Sequence, residues 1–411
     1  MERDLARRVI EHLRAGVPSL ESAEVLSAGR RRLLGEIEED LAALARGSRR
    51  GLRIIAGNYG EGKTHTLEAV EALARRDNFV VGLLTVSRET PLDRPDRIYR
   101  KLVRRTYLPG LARPGLEPIL RRLGENEGAV QRLLRFCEQN LHPKLALVLE
   151  ARLESTFGDV EKFERDISGY FLTSAETRRA YAAVMGRKAP KIPSFRSGDA
   201  FDYLRLLDEA AVRAGFSGLV LLFDEVEMLG RLGRLGRARS YDFLQRLSDP
   251  RIFPHTYPVL AVASSFQADL EGRLGEMEHL PAWLEAHGRP EFKEAVRSVV
   301  RRLEEAPHLA PLSEEDLAEV FGGIAQAHAA AFSWQPPVDG KELLAAVRVP
   351  LRERDLKVRQ LVRAAVHYLD LYRAYGEAPQ LQVQAMGEAA PVYGGDEGME
   401  EGEAVRRNWP D

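Results

Sequence analysis

The stretch that decides the fold runs from Gly51 to Thr64 and reads GLRIIAGNYGEGKT. Its first part, Gly51–Ala56, is a short apolar run between glycines, because it begins with Gly51 and is followed by Gly57. Such a run is typical of a buried strand. A helical pattern follows the glycine-rich part over Thr64–Arg76, and a second apolar run, Phe79–Val86, comes next. Strand, glycine loop, helix and strand in this order predict the βαβ unit of an α/β sheet.

The glycine-rich part matches the pattern G-x-x-x-x-G-K-[ST] without departure. Glycines let backbone N–H groups approach a phosphate without a β-carbon clash, and a helix N-terminus adds partial positive charge there. In this pattern the lysine reaches the β- and γ-phosphates and the Thr hydroxyl ligates Mg²⁺. We therefore predict a site for ATP and Mg²⁺ with these nucleotide-binding candidates: Gly57, Asn58, Tyr59, Gly60, Glu61, Gly62, Lys63, Thr64 and His65.

A third apolar run, Leu219–Phe223, ends in the acidic pair Asp224-Glu225. If this strand lies beside the first one, both carboxylates emerge near the phosphate loop. Asp224 would then join Thr64 in the Mg²⁺ shell, and Glu225 would polarise the attacking water. Acidic residues also commonly end strands, so the interpretation depends on the loop. Glu227 lies nearby, and we expect it to be a surface residue.

A fourth apolar run, Val259–Ala263, ends in Ser264 and Ser265. Either hydroxyl could lie where the γ-phosphate and the attacking water sit. Serine also ends strands for local hydrogen-bonding reasons, and that alternative stays open.

Composition excludes several classes of protein. The 411 residues carry a net charge of -2, so any nucleic-acid site must be a local patch. A single cysteine, Cys137, excludes a disulfide framework and a cysteine-rich zinc site. The apolar runs are far shorter than the roughly 20 residues that span a bilayer. We expect a cytoplasmic protein without a membrane span.

The pattern along the chain predicts four parts. Residues 1–48 form a helical segment, and residues 49–310 form the α/β core with a helical insertion at about 97–195. Residues 311–376 form a small helical lid. The acid-rich tail, residues 377–411, shows no periodicity and is predicted to be disordered.

Several arginines are candidates for contacts with phosphates outside the loop. The segment Gly230–Arg239 reads as a glycine-rich loop that could follow a DNA backbone through Arg231, Arg234, Arg237 and Arg239. A transferring phosphate also needs positive charge, which Arg359 could supply from a C-terminal helix. Arg301 and Arg302 could supply it to a neighbouring subunit. A solvated or interface loop and solvated helical arginines are the alternatives.

With these residues in place, the chain resembles the AAA+ ATPases. Within them it resembles the origin-recognition and initiator-like branch, in which a Gly-Arg pair opens a helix ahead of the first strand; here the pair is Gly29-Arg30. It is most similar to the BREX-type, BrxD-like ATP-binding proteins. Besides the loop and the acidic pair, that likeness is carried by Val17-Pro18, Gly29-Arg30, Ile98-Tyr99, Gly218-Leu219-Val220 and Pro311-Leu312-Ser313-Glu314-Glu315.

The resemblance implies a parallel five-stranded P-loop sheet, a helical lid and arginines shared between subunits of a homo-oligomer. It adds Arg30 to the nucleotide-binding candidates. It also implies work on DNA beside a helicase or modification enzyme, in bacterial defence or DNA processing. The predicted function is a Mg²⁺-dependent ATPase that couples ATP hydrolysis to assembly on DNA or to remodelling of a DNA-acting partner. The alternative is a nucleotide-gated binding module with little turnover.

Overall fold

The computed structural model describes residues 1–15, 23, 27–48, 51–111, 113–154, 174–191, 193, 199–348 and 358–379. Within these residues the chain builds a mixed α/β fold around a five-stranded sheet with the order β1-β5-β4-β2-β3. The strands are β1 (Arg53–Gly57), β2 (Val80–Thr85), β3 (Thr106–Tyr107), β4 (Leu219–Asp224) and β5 (Thr256–Ala263).

The sheet is mostly parallel, and its last strand is not. β1, β5, β4 and β2 pair in parallel, whereas β3 pairs antiparallel with β2 through Val81–Tyr107 and Gly82–Thr106. The expectation of a wholly parallel sheet is therefore corrected at one edge. β3 also lies inside the predicted helical insertion at about 97–195. A two-residue strand is too short to produce an alternating pattern, so the sequence does not predict it.

Helices cover the sheet and fill the rest of the chain. Those of the described residues are α1 (Arg3–Ala15), α2 (Arg31–Ala45), α3 (Lys63–Arg76), α4 (Pro95–Arg104), α5 (Glu117–Gly124), α6 (Glu127–Asn140), α7 (Pro143–Glu154), α8 (Ser174–Met185), α9 (Ala200–Arg213), α10 (Arg234–Leu247), α11 (Ser264–Glu271), α12 (His279–Ala286), α13 (Lys293–Glu304), α14 (Glu314–Phe332), α15 (Gly340–Arg348) and α16 (Val358–Tyr375). Two 3₁₀ helices span Val226–Arg231 and Pro290–Phe292.

Both faces of the sheet are buried, which explains the unbroken apolar runs in the sequence. All six residues of β4 are buried. Val220 and Leu222 pack on one face in a core shared with α2 and α3. Leu221 and Phe223 face the other side, in a larger core that includes α4, α9, α10 and α13. β4 lies between β5 and β2 and is buried on both faces, so it is a central strand of the sheet.

Helix α1 packs with the C-terminal helices and not with the sheet. Its buried residues Ala6, Val9, Ile10 and Leu13 join a separate core formed with α14, α15 and α16. The Arg14 guanidinium lies 3.0 Å from the Asp370 carboxylate of α16, which also contacts the buried His328 at 3.1 Å. The predicted segment 1–48 is therefore divided in space, because α2 packs on the sheet instead.

Some predictions fall wholly or largely outside the described residues. These are Val17-Pro18 and all but three residues of the acidic tail. Cys137 is buried in the core, and burial raises the pKa of its thiol to about 12. Among the described helices, none combines the length and the apolar character that crossing a bilayer requires.

Candidate nucleotide site

Three strands end at the same edge of the sheet and bring the candidate residues together. Gly57 of β1 is level with Ala263 of β5, and Phe223 of β4 is level with Leu260 of β5. The predicted site depends on β4 lying beside β1. The two strands are not adjacent, because β5 lies between them. β1, β5 and β4 are parallel, so their carboxyl ends lie on the same side of the sheet. The acidic pair and the phosphate loop therefore approach each other across the end of β5.

The backbone of the loop depends on its glycines. Gly60 and Gly62 have φ angles of +87° and +90°, a region that costs other residues roughly 1–2 kcal/mol each. Gly62 is the N-cap of α3, so the helix begins at Lys63. A β-carbon on Gly57 would lie 3.1 Å from the Glu61 carboxylate. The loop therefore needs glycine to turn sharply from β1 into the helix N-terminus.

The charged side chains of the loop bind its own backbone. Lys63 Nζ donates to the carbonyl oxygens of Gly57 at 2.9 Å and Asn58 at 3.1 Å. The Glu61 carboxylate accepts from the backbone N–H of Asn58 at 2.6 Å and from its side-chain amide at 2.9 Å. Tyr59 is 67% exposed at the tip, and His65 is half-buried in the first turn of α3. The Lys63 ammonium is thus held over the loop.

Thr64 and Asp224 are in direct contact. The Thr64 hydroxyl donates to Asp224 Oδ2 at 2.6 Å, although 160 positions separate the two residues. Asp224 is only 6% exposed, and its other oxygen accepts from the backbone N–H of Glu225 at 2.9 Å. Two oxygen ligands of the kind that Mg²⁺ prefers therefore stand side by side at the mouth of the loop.

Glu225 occupies a strained backbone position. Its φ of +57° and ψ of +39° lie in the left-handed region, which is uncommon for a residue with a side chain. Partial burial, together with the carboxylates of Asp224 and Glu227, raises the pKa of Glu225 above its ordinary value, and Lys63 and Arg231 oppose that shift. Such strain and such a raised pKa are frequent at functional sites.

The two serines begin helix α11 immediately after β5. Ser264 Oγ lies 3.2 Å from Nδ1 of His308, and Ser265 is exposed at the next position. His308 belongs to a short stretch beside β1 that the sequence analysis missed. Ala56 N–H donates to the carbonyl of Pro307, and the N–H of Leu309 donates to the carbonyl of Ala56 at 2.7 Å. His308 thus joins the site from a segment with no strand-like pattern.

Glu227 is not a surface residue. It is half-buried, and its carboxylate accepts from the backbone N–H of Ala263 at 3.1 Å. This contact ties the turn after β4 to the end of β5. Glu227 therefore positions the two strand ends that carry Glu225 and Ser264, a role that no local sequence pattern indicates.

Arg30 lies beneath the loop at the N-cap of α2. Its guanidinium donates to the carbonyl oxygen of Glu61 at 2.9 Å and to that of Ala310 at 2.6 Å. Burial lowers its pKa, although Asp316 and Glu61 act in the opposite direction. The described contacts of Arg30 are therefore with the backbone of the loop.

The candidates Arg301, Arg302 and Arg359 lie near the end of α13 and at the start of α16. Arg301 and Arg302 are exposed near the end of α13, and Arg302 contacts Ser248 at 3.3 Å and lies close to Gly51. Gly51 precedes β1 and the loop follows it, so Arg302 lies near the opposite end of this strand from the loop. Arg359 lies in the first turn of α16, and its side chain is outside the described residues.

The segment Gly230–Arg239 is largely ordered structure and not the expected loop. The 3₁₀ helix ends at Arg231, and α10 begins at Arg234. Arg237 is 9% exposed and pairs at 2.5 Å with Glu276, which is fully buried, so it faces the interior. Arg231, Arg234 and Arg239 are exposed. Only these three of the four candidates can meet a ligand from solvent.

The fold and the site define a class: mixed α/β proteins in which a glycine loop ending in Lys-Thr meets an acidic strand end. The model of the family "BREX system ATP-binding protein BrxC/D" matches residues 1–123 and 194–386, and the chain belongs to this family. The predicted likeness to BREX-type ATP-binding proteins is confirmed. The unmatched residues 124–193 fall within the predicted helical insertion. None of the curated proteins compared with the chain matches it.

Proposed function

We propose that this BREX-system ATP-binding protein is a Mg²⁺-dependent ATPase with a P-loop fold of the AAA+ type. The observation that carries the proposal is the 2.6 Å contact between Thr64 and Asp224. This contact brings the loop, which would bind the phosphates, beside the strand end that carries Asp224 and Glu225. These two residues would act on the bond to the γ-phosphate. In this proposal residues 49–310 are the ATPase core, and residues 311–376, joined by α1, are the lid.

The loop would bind the triphosphate through its backbone N–H groups and Lys63. The ammonium now donates to two carbonyl oxygens of the loop, at 2.9 Å and 3.1 Å. On ATP binding it would turn to oxygens of the β- and γ-phosphates, where a full positive charge offsets the charge of the leaving group. The N-terminus of α3 adds its partial positive charge at the same place.

The metal site would consist of Thr64 and Asp224. A hydroxyl and a carboxylate suit Mg²⁺, which usually keeps several waters and binds few protein ligands. The described residues contain no cluster of three or more His, Cys, Asp or Glu that could hold a metal ion. When bound, Mg²⁺ would supply charge neutralisation to the phosphates.

Glu225 would act as the general base. Its carboxylate would take a proton from a water molecule as that water's oxygen bonds to the γ-phosphorus and the bond from phosphorus to the bridging oxygen breaks. The raised pKa of Glu225 makes it a stronger base than an ordinary glutamate. Ser264 would hold the water or the γ-phosphate, with His308 orienting its hydroxyl.

We propose that hydrolysis is coupled to assembly on DNA or to remodelling of a DNA-acting partner, such as a helicase or modification enzyme, in the cytoplasm. The chain would act as a homo-oligomer. The position of Arg302 beside Gly51, which precedes β1, supports a role of this arginine toward a neighbouring subunit and not toward the same chain's nucleotide. Arg301 is its neighbour on α13 and stays a candidate for the same role. Arg359 stays a candidate from the lid.

DNA would contact the exposed arginines Arg231, Arg234 and Arg239, which we call the basic surface. A groove of about 750 Å³ opens beside it, lined in part by Arg234, Arg273 and Trp283. Such a surface would bind backbone phosphates without reading bases.

The variant Glu225→Gln tests the proposed hydrolysis. It removes the base and keeps the shape of the side chain, so turnover should fall by about 10²–10⁴-fold while ATP binding persists. Phosphate release at saturating ATP measures the first property, and calorimetry measures the second. Glu138→Gln, at an exposed position of α6, is the matched control, because it makes the same chemical change away from the site. An unchanged rate for Glu225→Gln would contradict hydrolysis by this site and favour an ATP-gated binding module.

A further inference from the structure

Arg30 connects the phosphate loop to the start of the C-terminal helices. One guanidinium nitrogen donates to the carbonyl of Glu61, inside the loop, at 2.9 Å. Another donates to the carbonyl of Ala310, just ahead of α14, at 2.6 Å. The two carbonyls lie 249 positions apart in the sequence, and a single rigid side-chain group spans them. A displacement of either carbonyl therefore acts on the other through one planar group.

The surroundings of Arg30 give that connection little freedom. The residue is 6% exposed, and burial lowers the pKa of its guanidinium. A buried charge is costly to leave without hydrogen-bond partners, so these carbonyl contacts are expensive to break. Arginine holds the two carbonyl oxygens with two nitrogens of one planar group. Lysine has a single nitrogen and therefore cannot replace arginine at both contacts.

Gly29 shows that the same corner touches the C-terminal helices directly. Its φ is +74°, and a β-carbon there would lie 2.5 Å from a methyl group of Leu312 and 2.9 Å from Asp316. Asp316 belongs to the first turn of α14, which is fixed by a capping box with Ser313. The Gly29-Arg30 corner is therefore packed without clearance against the segment 310–316.

We propose that Arg30 is a positioning residue that couples occupancy of the phosphate loop to the C-terminal helices. Glu61 lies between Gly60 and Gly62, the two loop residues with positive φ, so phosphate binding adjusts the peptide whose carbonyl Arg30 holds. That adjustment passes to Ala310 and the start of α14. The inference rests on the proposed ATP site, and coupling of this kind is reciprocal: the C-terminal helices also set the affinity for ATP.

Hydrogen exchange on the full chain, with and without Mg²⁺ and a non-hydrolysable ATP analogue, tests the coupling. In the wild type the analogue should slow exchange in peptides from 57–76 and also in peptides from 310–332. In Arg30→Lys the slowing should persist at 57–76 and be lost at 310–332. Reciprocity predicts that affinity for the analogue falls by about 5- to 150-fold. Arg30→Ala should show the same pattern more strongly.

Arg31→Ala is the matched control. Arg31 is the exposed neighbour, and it also connects the N-terminus of α2 to α14, through Glu319, without contacting the loop. It should keep both effects. Slowing at 310–332 that survives in Arg30→Lys would overturn the proposal, as would slowing confined to the loop in the wild type. No slowing at 57–76 and no heat of binding in the wild type would instead refute the ATP site itself, and the coupling with it.

Discussion

At the residue scale, the site depends on side chains that come from two distant strand ends. Lys63 and Thr64 open α3, Asp224 ends β4, and Glu225 follows it. Each pair has a local pattern, so each could be predicted from the sequence. Their contact could not be read locally, because the 2.6 Å bond between Thr64 and Asp224 depends on the order of the strands.

Other residues of the site have no local pattern at all. Glu227 holds the N–H of Ala263, and His308 contacts Ser264, over separations of 36 and 44 positions. Arg237 is one of the regularly spaced arginines of the glycine-rich segment that the sequence predicts to follow a DNA backbone, yet its partner Glu276 turns it inward. A buried ion pair needs two residues that the fold brings together, and sequence spacing does not show which.

The raised pKa of Glu225 predicts a particular dependence of turnover on pH. A base works only when deprotonated, so kcat should rise with pH through the pKa of Glu225 and then level. Burial and the neighbouring carboxylates put that inflection above the ordinary glutamate value of about 4.3. Initial rates at saturating ATP measure it. The residual activity of Glu225→Gln should lack the inflection, and the same inflection in that variant would assign it to another group.

At the scale of elements, the strands that are buried on both faces could be predicted and the short ones could not. β1, β2, β4 and β5 each contain an apolar run, as parallel strands that are buried on both faces require. β3 has two residues, and the pairing of Ala56 with His308 is a single bridge. The sequence predicts a glycine-rich loop over Gly230–Arg239, but α10 begins inside that segment, at Arg234. Gly233 instead caps the helix in an extended conformation.

The basic surface predicts a change in the salt dependence of DNA binding. Replacing Arg231, Arg234 and Arg239 by alanine removes three charges that would neutralise backbone phosphates. Affinity should fall, and the slope of log K against log salt should flatten by up to about 3 for duplex DNA. Fluorescence anisotropy over a range of salt concentrations measures this. Alanines at Arg32, Arg76 and Arg251 make the same change in charge elsewhere. Equal slopes for the two triple variants would exclude the surface.

At the scale of the whole molecule, the corner formed by Gly29 and Arg30 contacts both the phosphate loop and the start of the C-terminal helices. One core lies on each face of the sheet, and another joins α1 to α14, α15 and α16. The amphipathic pattern of α1 predicted a helix that needs an apolar partner. It could not predict which partner, because many faces of the protein satisfy the same requirement. The pairing of Arg14 with Asp370 adds a specific contact between the two ends of the described chain.

If neighbouring subunits share the site, the ATPase rate per chain depends on protein concentration. We expect the rate to rise with concentration and then level, and DNA to shift the rise to lower concentration. Arg301→Ala and Arg302→Ala should lower the plateau without changing ATP binding. Rates measured over a hundredfold range of concentration, with and without single- and double-stranded DNA, test this. A constant rate per chain would show that each subunit hydrolyses ATP alone.

The central claim is that a triphosphate binds in the loop ahead of Lys63, facing Asp224 and Glu225. Calorimetric titration of ATP with Mg²⁺ into the full chain tests it most directly, with Lys341→Ala, an exposed lysine of α15, as the control. The wild type and the control should bind with a Kd between about 1 μM and 1 mM. Lys63→Ala should give no binding heat at the same concentrations. Binding by Lys63→Ala with unchanged affinity would contradict the claim.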